Sequence, residues 1–321
     1  MARKRLEDVL DDLGRVRADP HSPESSRLLK QALAGRSPHA TAKAAKLVGE
    51  LGLDSLAPEL EQAFARWLEA GAADVGCTAK TAVVRALDRV DHADARVFLQ
   101  GIRHVQLEGG YGQPTDVATE LRGLCALALV RIGYSDALAE LCDLLADRQS
   151  HARAAAARAL RLRDGDGAVA LLRFKARLGD DEPDVLCECL TALLAAAPRA
   201  SLAFVVGFLE ARDEAVAEAA ALALGASRLP EAFEPLRDWH ERTHGSQAEA
   251  SALTALATLR VDAALDYVVG VVRSGTPRSA ERALQALALY RGDEALAERV
   301  RQAAEASADA RVLAVARRAF A

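Results

Sequence analysis

The chain has 321 residues, of which 51% are apolar but only 4% aromatic, so the interior is expected to be Ala, Leu and Val, a composition that lets helices approach closely. Its formal net charge of −5 argues against a general nucleic-acid coat while leaving room for a local basic face. Five cysteines without framework spacing read as reduced thiols, and with no signal-peptide core or membrane-length apolar run the expectation is a cytoplasmic protein with no membrane partner.

Residues 3–17 set Leu6, Val9, Leu10, Leu13 and Val16 at helical spacing, which predicts a capping helix within 1–20. Asp19-Pro20 ends it. Ser22-Pro23 and Ser37-Pro38 each read as a cap followed by a first-turn proline, opening helices over about 23–34 and 38–51. A second pair is predicted over 54–70 and 76–90, and a third over 93–107 and 116–132. From 135 the pairs tighten: 135–146 with 151–163, 166–177 with 184–196, 200–210 with 215–226, 230–243 with 247–259, 262–273 with 278–290 and 293–306 with 310–320.

A regular beat runs through these pairs. Ala86-Leu87 and Ala128-Leu129 are followed by Ala159-Leu160, Ala192-Leu193, Ala223-Leu224, Ala255-Leu256, Ala286-Leu287 and Ala319-Phe320, the last six steps being 31, 33, 31, 32, 31 and 33 residues. Nine residues after each anchor alanine from 86 to 286 stands another small residue, from Ala95 to Ala295. Self-similarity at this period marks a stacked-repeat architecture. The positions seven and three before each anchor, such as Ala152 and Ala156, are small or apolar throughout and are assigned to packing between helices.

The second helix of each pair resembles a HEAT repeat, specifically the short bacterial HEAT-like, PBS-lyase type, in which it reads roughly Val-Arg-x-x-Ala-x-x-Ala-Leu. His151-Ala152-Arg153 through Ala159-Leu160 fits, as does Leu121-Arg122 through Ala128-Leu129, while Val185 and Val216 keep the valine without the arginine. The resemblance implies an all-α, right-handed superhelical solenoid of about nine HEAT-like pairs over 21–321, with the second helices lining a concave surface. It also implies a scaffold that binds a protein partner there, with no cofactor. Enzymes sharing the fold fit poorly. Deoxyhypusine hydroxylases bind iron through four His-Glu pairs, of which only His240-Glu241 is present. HEAT-like DNA glycosylases use concave aromatic residues, whereas Trp67 and Trp239 stand at apolar positions of first helices. No residue specific to phycobilin lyases can be matched.

Three candidate sites stand out. The first is a basic stripe at the positions six before, one before and three after the anchor in three successive repeats: Lys80, Arg85 and Arg89, then Arg122 and Arg131, then Arg153 and Arg158, with Arg161 alongside. The next four repeats carry no basic residue there. These positions are expected to share the exposed face of the second helix, where the stripe would take an acidic protein segment or, alternatively, a nucleic acid or other polyanion held by phosphate contacts; against this, an arginine six before the anchor is a common structural residue of HEAT repeats.

The second is the insertion 107–116, LEGGYGQPTD, which stretches one step to 42 residues. Its glycines predict a flexible loop offering Tyr111 as an aromatic contact, with the helix restarting at Thr115 or Asp116. The third is His240-Glu241-Arg242-Thr243-His244, formally H-E-x-x-H, which would place His240 and His244 one turn apart as metal ligands. The motif lies at a helix end stopped by Gly245, and the repeat register already accounts for His240 as a partly buried packing residue.

Overall fold

The computed structural model describes residues 6–109, 112–163, 165–307 and 309–320. Among these residues the chain is an α-solenoid: a first helix, α1 (Leu6–Arg15), followed by nine pairs. It clusters into two compact units, 1–163 and 164–321.

In the first unit the pairs are α2 (Pro23–Leu33) with α3 (Pro38–Glu50), α4 (Ala57–Ala70) with α5 (Thr78–Arg89), α6 (Ala95–Ile102) with α7 (Thr119–Arg131), and α8 (Ala137–Leu145) with α9 (Ser150–Arg161). In the second they are α10 (Asp166–Leu178) with α11 (Pro183–Ala196), α12 (Pro198–Val206) with α13 (Glu214–Ser227), α14 (Phe233–Thr243) with α15 (Glu249–Leu259), α16 (Asp262–Ser274) with α17 (Pro277–Leu287), and α18 (Glu294–Ala306) with α19 (Ala310–Ala319). The predicted caps form: Ser22 Oγ accepts from Ser25 N, and Ser37 Oγ accepts from Ala40 N at 3.3 Å. Each satisfies a backbone donor that the helix itself leaves unpaired.

Within each unit the second helices pack directly on one another, and the sequence shows why they can. The position three before the anchor, from Val83 and Cys125 to Ala283, is fully buried in all seven repeats. Gly225 of α13 lies so close to α15 that a Cβ there would stand 2.5 Å from the Ala255 carbonyl oxygen. Gly123 of α7 meets Ala155 of α9 in the same way, at 2.8 Å. Small residues set this approach, since interaxial distance follows the side chains at the contact. Trp67 and Trp239 are buried on first helices, as their positions predict.

The insertion departs from expectation. Leu107–Glu108 (β1) pairs antiparallel with Thr115–Asp116 (β2) in a short hairpin, so Thr115 and Asp116 do not start a helix; α7 begins at Thr119. The stem is pinned. Asp116 Oδ1 accepts from Ala118 N at 3.0 Å and from Gln106 N at 3.2 Å, while its other oxygen pairs with Arg122. Tyr111 lies outside the described residues.

Candidate functional site

The proposed stripe divides in two. Lys80 is fully buried, its Nζ 3.2 Å from Asp74 Oδ2 and donating to the carbonyls of Trp67 and Gly71. Arg122 is 2% exposed, with Nη1 2.8 Å from Asp116 Oδ2 and Nε 3.0 Å from Asp147 Oδ2. Arg153 is half-buried and donates to the carbonyls of Asp147 and Arg148. The expectation that these side chains share the exposed face is therefore corrected. A helix turns about 100° per residue, so a step of five leaves the position six before the anchor about 140° away from the position one before it. That places it beside the packing column, and it is buried in the second unit too, at Leu186, Ala217, Glu249 and Ala280.

The three cations hold the turns. Asp74, Asp116, Asp147 and Asp180 all stand twelve residues before their anchors, a column that sequence reasoning passed over. Asp74 caps α5 through Ala79 N and Lys80 N, and Asp116, Asp147 and Asp180 accept from Ala118 N, Gln149 N and Glu182 N. Arg122, reaching both Asp116 and Asp147, ties one repeat's turn to the next. Burial by itself would raise the Asp116 carboxyl, but these hydrogen bonds and the guanidinium hold it below its ordinary value.

Of the remaining stripe, Arg131 is engaged by Asp88 at 2.6 Å and by Asp91 at 3.4 Å. Arg158 is half-buried and Arg161 is exposed. Arg85 and Arg89 are different. Both are exposed on α5 and line a groove of about 770 Å³ within the first unit, where Arg17, Lys43 and Lys46 join them. The floor is small and apolar, including Ala42, Leu47, Gly49, Ala82 and Ala86.

Five cations face two carboxylates here. Glu50 pairs with Arg17 and lies 3.8 Å from Lys46, and Glu120 pairs with Arg85. Lys43 donates to the Leu10 carbonyl at 2.5 Å. The Arg89 stem crosses Gly49, where its Cδ would lie 3.2 Å from an added Cβ, and its guanidinium has no carboxylate among the described residues. The first unit holds 23 basic and 22 acidic residues, for a formal charge of +1, against 18 and 24 in the second, for −6; the groove thus lies in the less acidic unit. Lys43 and Lys46 escaped notice because α3 carries Leu47-Val48 where later repeats carry Ala-Leu. The burial pattern aligns Lys46 with Arg85 and Thr41 with Lys80.

Residues 171–257 match the family model for HEAT repeats. Over that stretch the chain carries HEAT repeats. The matched stretch runs from α10 into α15, three of the pairs described above. Among solved structures, this chain is similar to an engineered protein at 17% identity (TM-score 0.36, covering 98% of this chain and 92% of that one). Human deoxyhypusine hydroxylase in complex with glycerol is also 17% identical (TM-score 0.30, 79% and 96% covered). These are remote likenesses. Comparison with curated proteins finds no match.

In the second unit, the HEAT-repeat helix α14 carries His240, and His244 follows its last residue, Thr243. His240 is 3% exposed, so it is a core residue rather than a partly buried one, and its Nδ1 lies 2.8 Å from Tyr267 Oη. Its Nε2 and that of His244 lie 3.7 and 3.8 Å from Oε1 of Glu249. Glu241, the acid of the formal motif, instead faces Arg237 in solvent at 3.7 Å. Glu249 is fully buried, accepts from Ser279 Oγ at 2.7 Å and pairs with Arg282. Among the described residues, no group of three His, Cys, Asp or Glu side chains is arranged to hold a metal ion, and none of the helices is long and apolar enough to cross a membrane.

Proposed function

We propose that this chain is a non-enzymatic binding scaffold that engages an acidic segment of a protein partner in the second-helix groove of its first unit. The observation that carries the reading is the convergence of Arg17, Lys43, Lys46, Arg85 and Arg89 around a floor of mostly small apolar residues, with Glu50 and Glu120 in opposition among the described residues. Long flexible cations around a shallow floor suit carboxylates presented along a chain, and rim charges of this kind set on-rate and specificity. A partner in the cytoplasm fits the five cysteines, all of which are free thiols.

A nucleic acid fits less well. Counter-ion release rewards many phosphate contacts in a row, and the stripe that would have supplied them is broken by the inward-turned Lys80 and Arg122. The test is titration of a fluorescent poly-glutamate peptide and of single-stranded DNA into wild-type protein and the Lys46→Glu/Arg89→Glu variant. The peptide is expected to bind the wild type and to lose about tenfold or more in the variant, with an unchanged circular dichroism spectrum. Equal binding by the two proteins, or a clear preference for DNA, overturns the proposal.

A further inference from the structure

We infer that α10 and α12 of the second unit form a separate docking surface, one that takes a short segment of a partner protein in which a carboxylate stands beside bulky apolar side chains. The inference is independent of the groove in the first unit. A helix turns about 100° per residue; with Leu172 and Ala176 of α10 buried, its outer face is made by Arg173, Arg177, Phe174 and Leu178, in that order around the helix. Phe174 is 68% and Leu178 70% exposed, and both arginines are exposed. Residues three or four apart on a helix are neighbours, so Phe174 adjoins Leu178 and Arg177, and Arg177 adjoins Arg173.

The next pair extends the patch. The Arg173 guanidinium lies over the Phe204 ring, 4.1 Å from its centroid, and that of Arg177 lies 5.0 Å from the same centroid. Phe204 in turn meets Phe208 edge to face, with centroids 5.2 Å apart. A ring face attracts and positions a cation, but it supplies no oxygen to the cation's N–H donors. Neither arginine has a carboxylate partner among the described residues, although the unit holds 24 acidic residues against 18 basic ones. Asp180, just past α10, pairs instead with Lys175 at 2.7 Å, and Glu210, just past Phe208, with Arg242 at 2.6 Å.

The repeat does not call for these side chains. Fifteen residues after the anchor, where α10 has Phe174, the following pairs have Gly207, Asp238, Gly270 and Arg301. Nineteen after it, in place of Leu178, they have Ala211, Arg242, Ser274 and Glu305. Stacking therefore needs no large apolar group at either position. A carboxylate complements the paired guanidiniums, whose planar forks suit it, and an adjoining apolar side chain covers Phe174 and Leu178. An anionic lipid surface fits less well, because it would meet a unit of formal charge −6.

Fluorescence polarisation of three labelled peptides tests this on full-length protein carrying Lys46→Glu/Arg89→Glu, so that the groove does not contribute. The peptides are repeats of Asp-Phe-Asp-Leu, the same with Asn for Asp, and the same with Ala for Phe and Leu. The first is expected to bind about tenfold more tightly than either of the others. Adding Arg173→Gln/Arg177→Gln or Phe174→Ser/Leu178→Ser should abolish that gain, the second pair without moving the thermal melt, since both its side chains stand in solvent. No binding of the first peptide, equal binding of the Asn peptide, or a gain that survives Phe174→Ser/Leu178→Ser overturns the inference. So does capture by phosphatidylserine vesicles through these residues with no peptide bound, which would make the surface a membrane contact.

Discussion

Lys80 and Asp74 form an ion pair with both side chains wholly out of solvent. Asp74 simultaneously caps α5 and Lys80 closes the carbonyls of the preceding turn, so the pair is the joint between the two helices of its repeat. Removing one partner strands the other charge in the interior. Lys80→Ala is expected to cost about 3–5 kcal/mol, whereas Lys80→Met with Asp74→Asn should recover much of it, since replacing a buried pair with neutral groups of similar volume is far less costly than breaking it. Denaturant midpoints of the two variants check this. A single variant as stable as wild type would mean that the pair is not the joint described.

Close approach of second helices makes a second expectation. At Gly225 an added Cβ would meet Ala255 backbone atoms at 2.5 and 2.8 Å, and backbone cannot step aside as a side chain can. Gly225→Ala should therefore destabilise by about 1–3 kcal/mol. Gly270→Ala, in α16 with nothing within 4 Å of the new methyl, should instead stabilise by up to about 1 kcal/mol through helix propensity. Thermal melts of the two proteins should move in opposite directions.

Acid should loosen the second unit in two steps. Around His240 stand Tyr267 from α16, Glu249 from α15, His244 just past the end of its own helix and, beyond Glu249, Arg282 from α17. Burial pushes the imidazole below its ordinary value of 6.5, with Glu249 opposing. The unfolded chain then takes up a proton that the folded one refuses, so stability is full above about pH 6.5 and drains as the pH falls below it. Glu249 is also held below its ordinary 4.5, by Ser279, Arg282 and the Gly245 N–H against the opposing effect of burial, and adds a loss of the same sign lower down. His240→Leu should flatten the first step while giving up about 1 kcal/mol from the tyrosine bond. A histidine resonance for His240 titrating above 6.5 would reverse the sign and defeat this account.

Thiol chemistry should single out one cysteine. Cys142 is exposed, whereas burial pushes Cys77 up to about 11 and Cys189 up to about 12 and also raises Cys125 and Cys187. Because the thiolate is the reactive form, a disulfide reagent near neutral pH should label about one equivalent of the folded protein quickly. Peptide mapping should place the label on Cys142; fast labelling of Cys77 or Cys125 would show that the turn or the α6–α7 contact opens readily.

The Ala-Leu beat was enough to read the helix pairs, their order and the buried columns, because in a stacked array each pair is stabilised by its immediate neighbours and the packing positions must recur with the repeat. Charge was another matter. Lys80 and Arg122 look like surface residues in the sequence and turn inward because a step of five residues overshoots one helical turn by about 140° and because Asp74, Asp116 and Asp147 wait at the folded turns. The groove likewise needed tertiary structure, since Arg17, Lys46 and Arg89 come from three segments separated by tens of residues. His240 became intelligible only when the next helices supplied Glu249 and Tyr267. Local periodicity decides which face of a helix is buried; only the packed neighbours decide what a buried or half-buried charge meets there.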